Sequence, residues 1–137
     1  MGCKPVREEY KRKLLQFICY TGTVDELNKL AEAVGKPRGR IIEELINKYL
    51  ISPSDDVMRE ILYETNRAMD RPRFQFQIKA KPKHLAAINE FAKQIKRPKG
   101  RVLDAIVKLY ANSSNIELIE ELKTILFIVF DGIPEDI

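Results

Sequence analysis

The sequence predicts a mainly α-helical chain carrying one two-stranded antiparallel ribbon. Three observations lead there. Residues 35–46 recur in kind at residues 96–107 without a gap. Each copy is preceded by apolar residues at helical spacing, and those in turn by a short stretch that alternates with period two. The chain of 137 residues, 45% of them hydrophobic, is also near the commonest size of a single domain and apolar enough to bury one core.

The repeat is read by setting Gly35-Lys36-Pro37-Arg38-Gly39-Arg40-Ile41-Ile42 above Lys96-Arg97-Pro98-Lys99-Gly100-Arg101-Val102-Leu103, an offset of 61 residues. Pro, Gly and Arg coincide, basic meets basic, and apolar meets apolar on through Leu45/Ile106 and Ile46/Val107 to Tyr49/Tyr110. In order along the chain, Leu15, Phe17 and Cys19 alternate as a half-buried strand does, over about Leu14–Tyr20. Val24, Leu27, Leu30, Ala31 and Val34 then form one helix face, with Thr23 as the expected N-cap and Glu26 at the capping-box position. A second helix is expected over about Pro37–Leu50, since Pro suits a first helical turn.

Ser52-Pro53-Ser54-Asp55 announces a third helix to about Ala68, and Asp70-Arg71-Pro72 reads as a connector. The second half follows the same plan. Its strand spans about Arg73–Ala80, with Phe74, Phe76, Ile78 and Ala80 toward the core. Its helices span about Leu85–Ile95 and Pro98–Ala111, and a last helix announced by Ser114 and Glu117 runs to about Phe127. The expected organisation is a basic segment 1–13, a first unit 14–70 and a second unit 71–137, the two units forming one compact domain.

Charge and composition narrow the function. The net charge is +4, but residues 71–101 hold ten Lys or Arg against the single acid Glu90, while residues 112–137 hold six acids against Lys123. That asymmetry is expected of a face that meets a polyanion. Two cysteines, Cys3 and Cys19, are too few for a disulfide scaffold, and one histidine, His84, leaves no zinc-like ligand set. His84 reads as a polar cap or a phosphate neighbour. Between residues 14–51 and 75–112, Glu43 and Asp104 are the one acidic pair at matching places, and they read as helix-surface charges. No nucleophile elbow, phosphate-cradling glycine loop or metal-ligand spacing is present, so neither enzyme activity nor a cofactor is expected. The apolar run Ile125–Phe130 is too short for a membrane span; it reads as the buried end of the last helix or as a homo-oligomer interface. The start of the chain, with Lys4, Arg7, Lys11, Arg12 and Lys13, lacks a signal-peptide pattern and reads as a solvated tail or a phosphate-following arm, and the expected location is intracellular, in the cytoplasm.

A strand followed by two amphipathic helices with a basic turn between them resembles the ribbon-helix-helix superfamily of DNA-binding proteins, the Arc/MetJ/CopG type. The resemblance covers about residues 14–51 and 73–112. The family's second helix commonly opens with Gly, any residue, Ser or Thr, Arg and a small residue before paired aliphatics. Gly35-Lys36-Pro37-Arg38-Gly39-Arg40-Ile41-Ile42 matches in all but the hydroxyl, and the second copy lacks the leading glycine as well. The resemblance implies that the two strands pair within one molecule as a pseudo-dimer and that the ribbon enters the major groove of double-stranded DNA.

On that reading Gln75, Gln77 and Lys79 on the second strand, and Leu14, Gln16 and Ile18 on the first, face the bases, Gln suiting adenine and Lys guanine. Arg73, with Lys36, Arg38 and Arg40 at one helix start and Arg97, Lys99 and Arg101 at the other, would hold phosphates, where helix dipoles favour anions. Leu14 and Ile18 make the ribbon asymmetric and the target non-palindromic. Equally, they could be covered by the N-terminal segment or by another protein. The expected function is a sequence-specific transcriptional regulator, a repressor. An architectural DNA binder of low specificity, or a protein-interaction or inhibitor module that keeps the fold, are the alternatives.

Overall fold

The computed structural model describes residues 11–67 and 72–127. Among them lie two strands and six helices, in the order β1 (Lys13–Tyr20), α1 (Thr21–Val34), α2 (Arg38–Tyr49), α3 (Asp55–Thr65), β2 (Arg73–Ala80), α4 (Pro82–Ile95), α5 (Lys99–Tyr110) and α6 (Ile116–Phe127). The described residues are mainly helical, and the one sheet among them is the antiparallel pair β1–β2. Lys13 lies opposite Ala80 and Tyr20 opposite Arg73, so that Gln16 falls opposite Gln77, the residue 61 positions further on.

Alternation along the strands decides which face is buried. Leu15, Phe17 and Cys19 of β1 and Phe76, Ile78 and Ala80 of β2 point into the core, where the Phe17 and Phe76 rings stack at 5.4 Å. Phe74, expected with them, is 50% exposed. It is the second residue of β2, opposite buried Cys19, and stays outside the core cluster. That layer is crossed: α5 packs on β1 and α2 on β2, while α1 touches both α2 and α5. Leu27, Leu30, Ile41, Ile42, Leu45, Ile88, Phe91, Leu103 and Ile106 fill the space between them, and Ile61 of α3 with Leu118, Leu122 and Leu126 of α6 close its far side. Each such side chain contributes about 1.5–3 kcal/mol by leaving water. Cys19 is one of this set; burial first, then the Asp104 charge, pushes its thiol up to about 12, and it serves as a small hydrophobe. Tyr49 and Tyr110 are half-buried and stack on each other at 4.4 Å.

The helices depart from expectation mainly at their starts. α1 and α4 begin at Thr21 and Pro82, three residues before the expected Val24 and Leu85, α1 directly after β1 and α4 one residue after β2. Thr23 is not the N-cap: Tyr20 is, without a side-chain cap bond, and Lys81 holds the same place before α4. Glu26 does not close a capping box either; it accepts from the backbone N–H of Ser113 at 2.9 Å. Ser54 does cap α3, accepting from the Val57 N–H at 3.2 Å. Ahead of α6 the capping oxygen belongs to Asn115 rather than Ser114, taking the Leu118 N–H at 3.1 Å. The chain leaves α1 and α4 through left-handed residues, Gly35 at φ 80° and Lys96 at φ 58°. The second lacks glycine's freedom there and carries a backbone cost of about 1–2 kcal/mol.

No helix among the described residues is long and apolar enough to cross a membrane. Of the apolar run at the end of α6, Leu126 is buried and Phe127 is 62% exposed, while Ile128–Phe130 lie outside the described residues. Lys4 and Arg7 lie outside them too. Arg12 is neither tail nor arm: its side chain is only 14% exposed and pairs with Glu43.

Candidate nucleic-acid interface

Period-two alternation that buries one face of the ribbon must turn the other face out. Leu14, Gln16, Ile18, Gln75, Gln77 and Lys79 are all exposed on it, Leu14 at 54% and Ile18 at 57%. The register sorts these six into three cross-strand pairs, Leu14 with Lys79, Gln16 with Gln77, and Ile18 with Gln75. Directly opposed side chains are near neighbours, with Cβ atoms about 4.5–5.5 Å apart. The face therefore carries an aliphatic–amine pair at one end, two amides at the centre and an aliphatic–amide pair at the other end.

Two helix starts stand against this ribbon, and glycines make the approach possible. A Cβ on Gly100 would lie 1.9 Å from the carbonyl oxygen of Ile18, so the first turn of α5 runs directly against the β1 backbone. At Gly39 the fit is looser, a Cβ meeting Ile78 Cβ at 3.6 Å and the Lys79 carbonyl oxygen at 3.7 Å. The N-terminal ends of α2 and α5, where backbone N–H groups lack helical acceptors, are thus fixed beside the two strands whose outer side chains form the exposed face.

The basic residues expected to bind phosphate divide into two groups. Arg40 is 12% exposed along its side chain and is spent internally, its guanidinium on Glu43 at 3.0 Å and on the Lys79 carbonyl at 2.8 Å. Arg101 donates to the Thr65 carbonyl at 2.6 Å, and Arg97 to Asn66 and to the Lys96 carbonyl. Arg38 lies over the Phe76 ring at 5.0 Å and reaches Asn28, and Arg73 lies over the Tyr20 ring at 5.3 Å at the end of the ribbon. Lys36 and Lys99 are half-buried at the two helix starts. Cation–ring contacts of this kind leave a guanidinium's N–H edge available to an anion.

The acids at matching positions are not surface charges. Glu43 is 3% exposed and Asp104 8%. Each crosses to the start of a helix in the other half of the chain. Glu43 accepts from the Lys81 N–H at 2.8 Å and stands 2.7 Å from His84 Nδ1, with Arg12 and Arg40 also on its oxygens. Asp104 accepts from the Tyr20 N–H at 3.0 Å and from the Thr23 hydroxyl at 2.6 Å. Thr23 and His84 are therefore buried donors in third helical positions rather than a cap and a phosphate neighbour; His84 Nε2 also meets Asn47 at 3.0 Å.

The two carboxyls are held in opposite directions. Burial raises that of Glu43, but the bonds from His84 and Lys81 and the charge of Arg12 outweigh it, leaving it below the ordinary value. For Asp104 burial wins over Thr23, Tyr20 and the charges of Arg73 and Arg101, and the group sits above its ordinary value. The matching places of the two acids were the one sequence signal for this arrangement. Comparison with family models, with curated proteins and with solved structures returned no match.

Proposed function

We propose that the chain is a tandem ribbon-helix-helix protein, folded as an intramolecular pseudo-dimer, that binds double-stranded DNA as a sequence-specific transcriptional regulator, a repressor. The carrying observation is the exposed polar–aliphatic face of the β1–β2 ribbon with a helix start fixed against each strand. A two-stranded ribbon is of a width the major groove of B-DNA admits, about 12 Å, and its outward side chains reach base edges. The helix starts beside it provide anion sites for the flanking phosphates, helped by Arg38, Arg73 and Lys99. Two contacts support the pseudo-two-fold reading: Gln16 pairs with Gln77 and Tyr49 stacks on Tyr110, and residues 61 apart meet each other only where an axis relating the halves passes between them.

The test is selection from a pool of random duplexes of about 20–30 base pairs, at two salt concentrations, with sequencing of the bound fraction. Enrichment of a motif, with binding that falls steeply as salt rises, is the expected result. Salt-sensitive binding without enrichment would instead assign an architectural role. Absence of binding at low salt would overturn the DNA reading and favour the protein-interaction alternative, for which the exposed Leu14 and Ile18 speak.

A further inference from the structure

We infer that the cleft beside Asp104 binds a small organic cation bearing a guanidinium or amidinium group. The cleft, about 620 Å³, lies between the start of α1, the end of α3 and the first half of α5, and Tyr20, Thr23, Glu64, Thr65, Arg101 and Asp104 are among its walls. Its volume is in the range of small-molecule sites, about 300–1,000 Å³. Asp104 is more than nine-tenths buried. Both of its hydrogen bonds fall on Oδ1, and Oδ2 is buried without a hydrogen-bond partner among the described residues. Such an oxygen has lost its water and gained no hydrogen bond in return, only the charges of Arg73 and Arg101.

The chain itself indicates what is missing. Glu43, 61 residues earlier, has the same two kinds of local donor, a backbone N–H and a side chain in the third position of a helix, and is completed by two guanidinium groups, Arg12 at 3.2 Å and Arg40 at 3.0 Å. The residues 61 positions beyond those arginines are Arg73 and Arg101. Neither completes Asp104: Arg73 lies over the Tyr20 ring and Arg101 is bonded to the Thr65 carbonyl. Of the other acids of the cleft, Glu64 is matched with Arg67 and Lys108 and Glu26 with Lys29, while Asp25 is exposed to solvent. What the site lacks is a planar, charged donor. The raised Asp104 carboxyl is consistent with that, since a bound cation would draw it back down. The cleft does not include the six outward residues of the ribbon, so the inference is independent of the DNA reading.

Agmatine is the probe, with N-butylurea as a neutral molecule of similar shape. The expected result is a saturable rise in the thermal midpoint with agmatine, amide resonance shifts centred on Tyr20, Thr23 and Asp104, and a fall in the Asp104 pKa followed by carboxyl ¹³C shifts. N-butylurea should produce none of these, and Asp104→Asn should abolish the agmatine response. An equal response to N-butylurea, shifts scattered over exposed acids such as Asp55 and Asp56, no saturation, or a response that survives in Asp104→Asn would each overturn the site. Should Asp104→Asn fail to fold, the amide map and the carboxyl titration of the unsubstituted protein decide alone.

Discussion

The Glu43 carboxylate accepts the backbone N–H of Lys81 at 2.8 Å, so a side chain of α2 closes the first turn of α4 in the other half of the chain. The same service is done in the opposite sense by Asp104 of α5, which takes the Tyr20 N–H ahead of α1. A capping box normally closes within one helix, the third residue reaching back to the cap. Here the third residue, Thr23 or His84, is a partner of the acid, and the acid arrives from elsewhere. Helix starts whose own N-cap side chains make no cap bond are closed by tertiary structure.

Removing these acids should have unequal costs. Glu43→Ala strands the donors of Arg12, Arg40, Lys81 and His84 in a buried setting and is expected to cost about 3–5 kcal/mol. Asp104→Ala strands only the Tyr20 N–H and the Thr23 hydroxyl and is expected to cost about 1–3 kcal/mol. Urea unfolding of the two variants at neutral pH checks the order; an Asp104→Ala variant less stable than Glu43→Ala would contradict it.

The two carboxyls should also tilt the pH dependence in opposite senses. Glu43 is lowered in the folded state, so its contribution is present above the unfolded glutamate value of 4.5 and is lost as pH falls through its lower folded value. Asp104 is raised, so the folded state holds its proton more tightly. Its contribution therefore weakens stability as pH rises from 3.8, the unfolded aspartate value, through its higher folded value. Glu43→Gln is expected to flatten the loss of stability on acidification, and Asp104→Asn to steepen it. Denaturation midpoints measured across the acid range would show whether the two slopes change in these opposite directions.

The two helix-start glycines should respond differently to alanine. At Gly100 the added methyl collides with backbone, the Ile18 carbonyl, which cannot move without displacing the ribbon. A cost of about 3 kcal/mol, at the upper end for overpacking, is expected. At Gly39 the same methyl finds ordinary contact distances, and stability within about 1 kcal/mol of the parent is expected. Thermal or urea unfolding distinguishes them, and equal effects would mean that α5 does not press on β1 as described.

Exchanging two outward residues of β1 tests the proposed DNA reading. Leu14 and Ile18 occupy the places that Gln75 and Lys79 hold in the other strand, 61 residues on. The double variant Leu14→Gln/Ile18→Lys makes the outer residues of β1 the same as those of β2. Both sites are exposed, so the change should leave stability within about 0.5 kcal/mol. The parent is expected to select a non-palindromic sequence and the variant a palindromic one. A palindrome selected by the parent, or an unchanged motif in the variant, would show that these two positions do not contact bases.

The strands and helices are legible in the sequence because hydrophobic period is local: two for Leu15, Phe17 and Cys19, three to four for Val24, Leu27, Leu30 and Val34. The exposure of Gln16, Gln75, Gln77 and Lys79 follows from the same alternation. What is not legible depends on contacts between distant segments. Glu43 and Asp104 flank an apolar stripe, where a carboxylate is ordinarily solvated, and only the approach of Lys81 or Tyr20 from the other half makes burial tolerable. Arg40 and Arg101 stand 61 residues apart in matching places yet end on different acceptors, Glu43 for one and the Thr65 carbonyl for the other, and Arg12 and Arg73 likewise part, one onto Glu43 and one over the Tyr20 ring. Phe74 looks like its neighbours Phe76 and Ile78 in the sequence, yet it is half in water although the residue opposite it, Cys19, is buried.

Because β1 and β2 belong to one chain, every position of the ribbon is written once in the gene. In an assembly of two identical chains a single codon change alters two symmetry-related places and must be tolerated at both. Here Leu14 can change while Gln75 stays as it is, and each such step is half the size. On the proposed reading, the two halves are thereby free to drift apart in recognition while the packed residues that hold them together, Phe17 against Phe76 and Tyr49 against Tyr110, remain under common constraint.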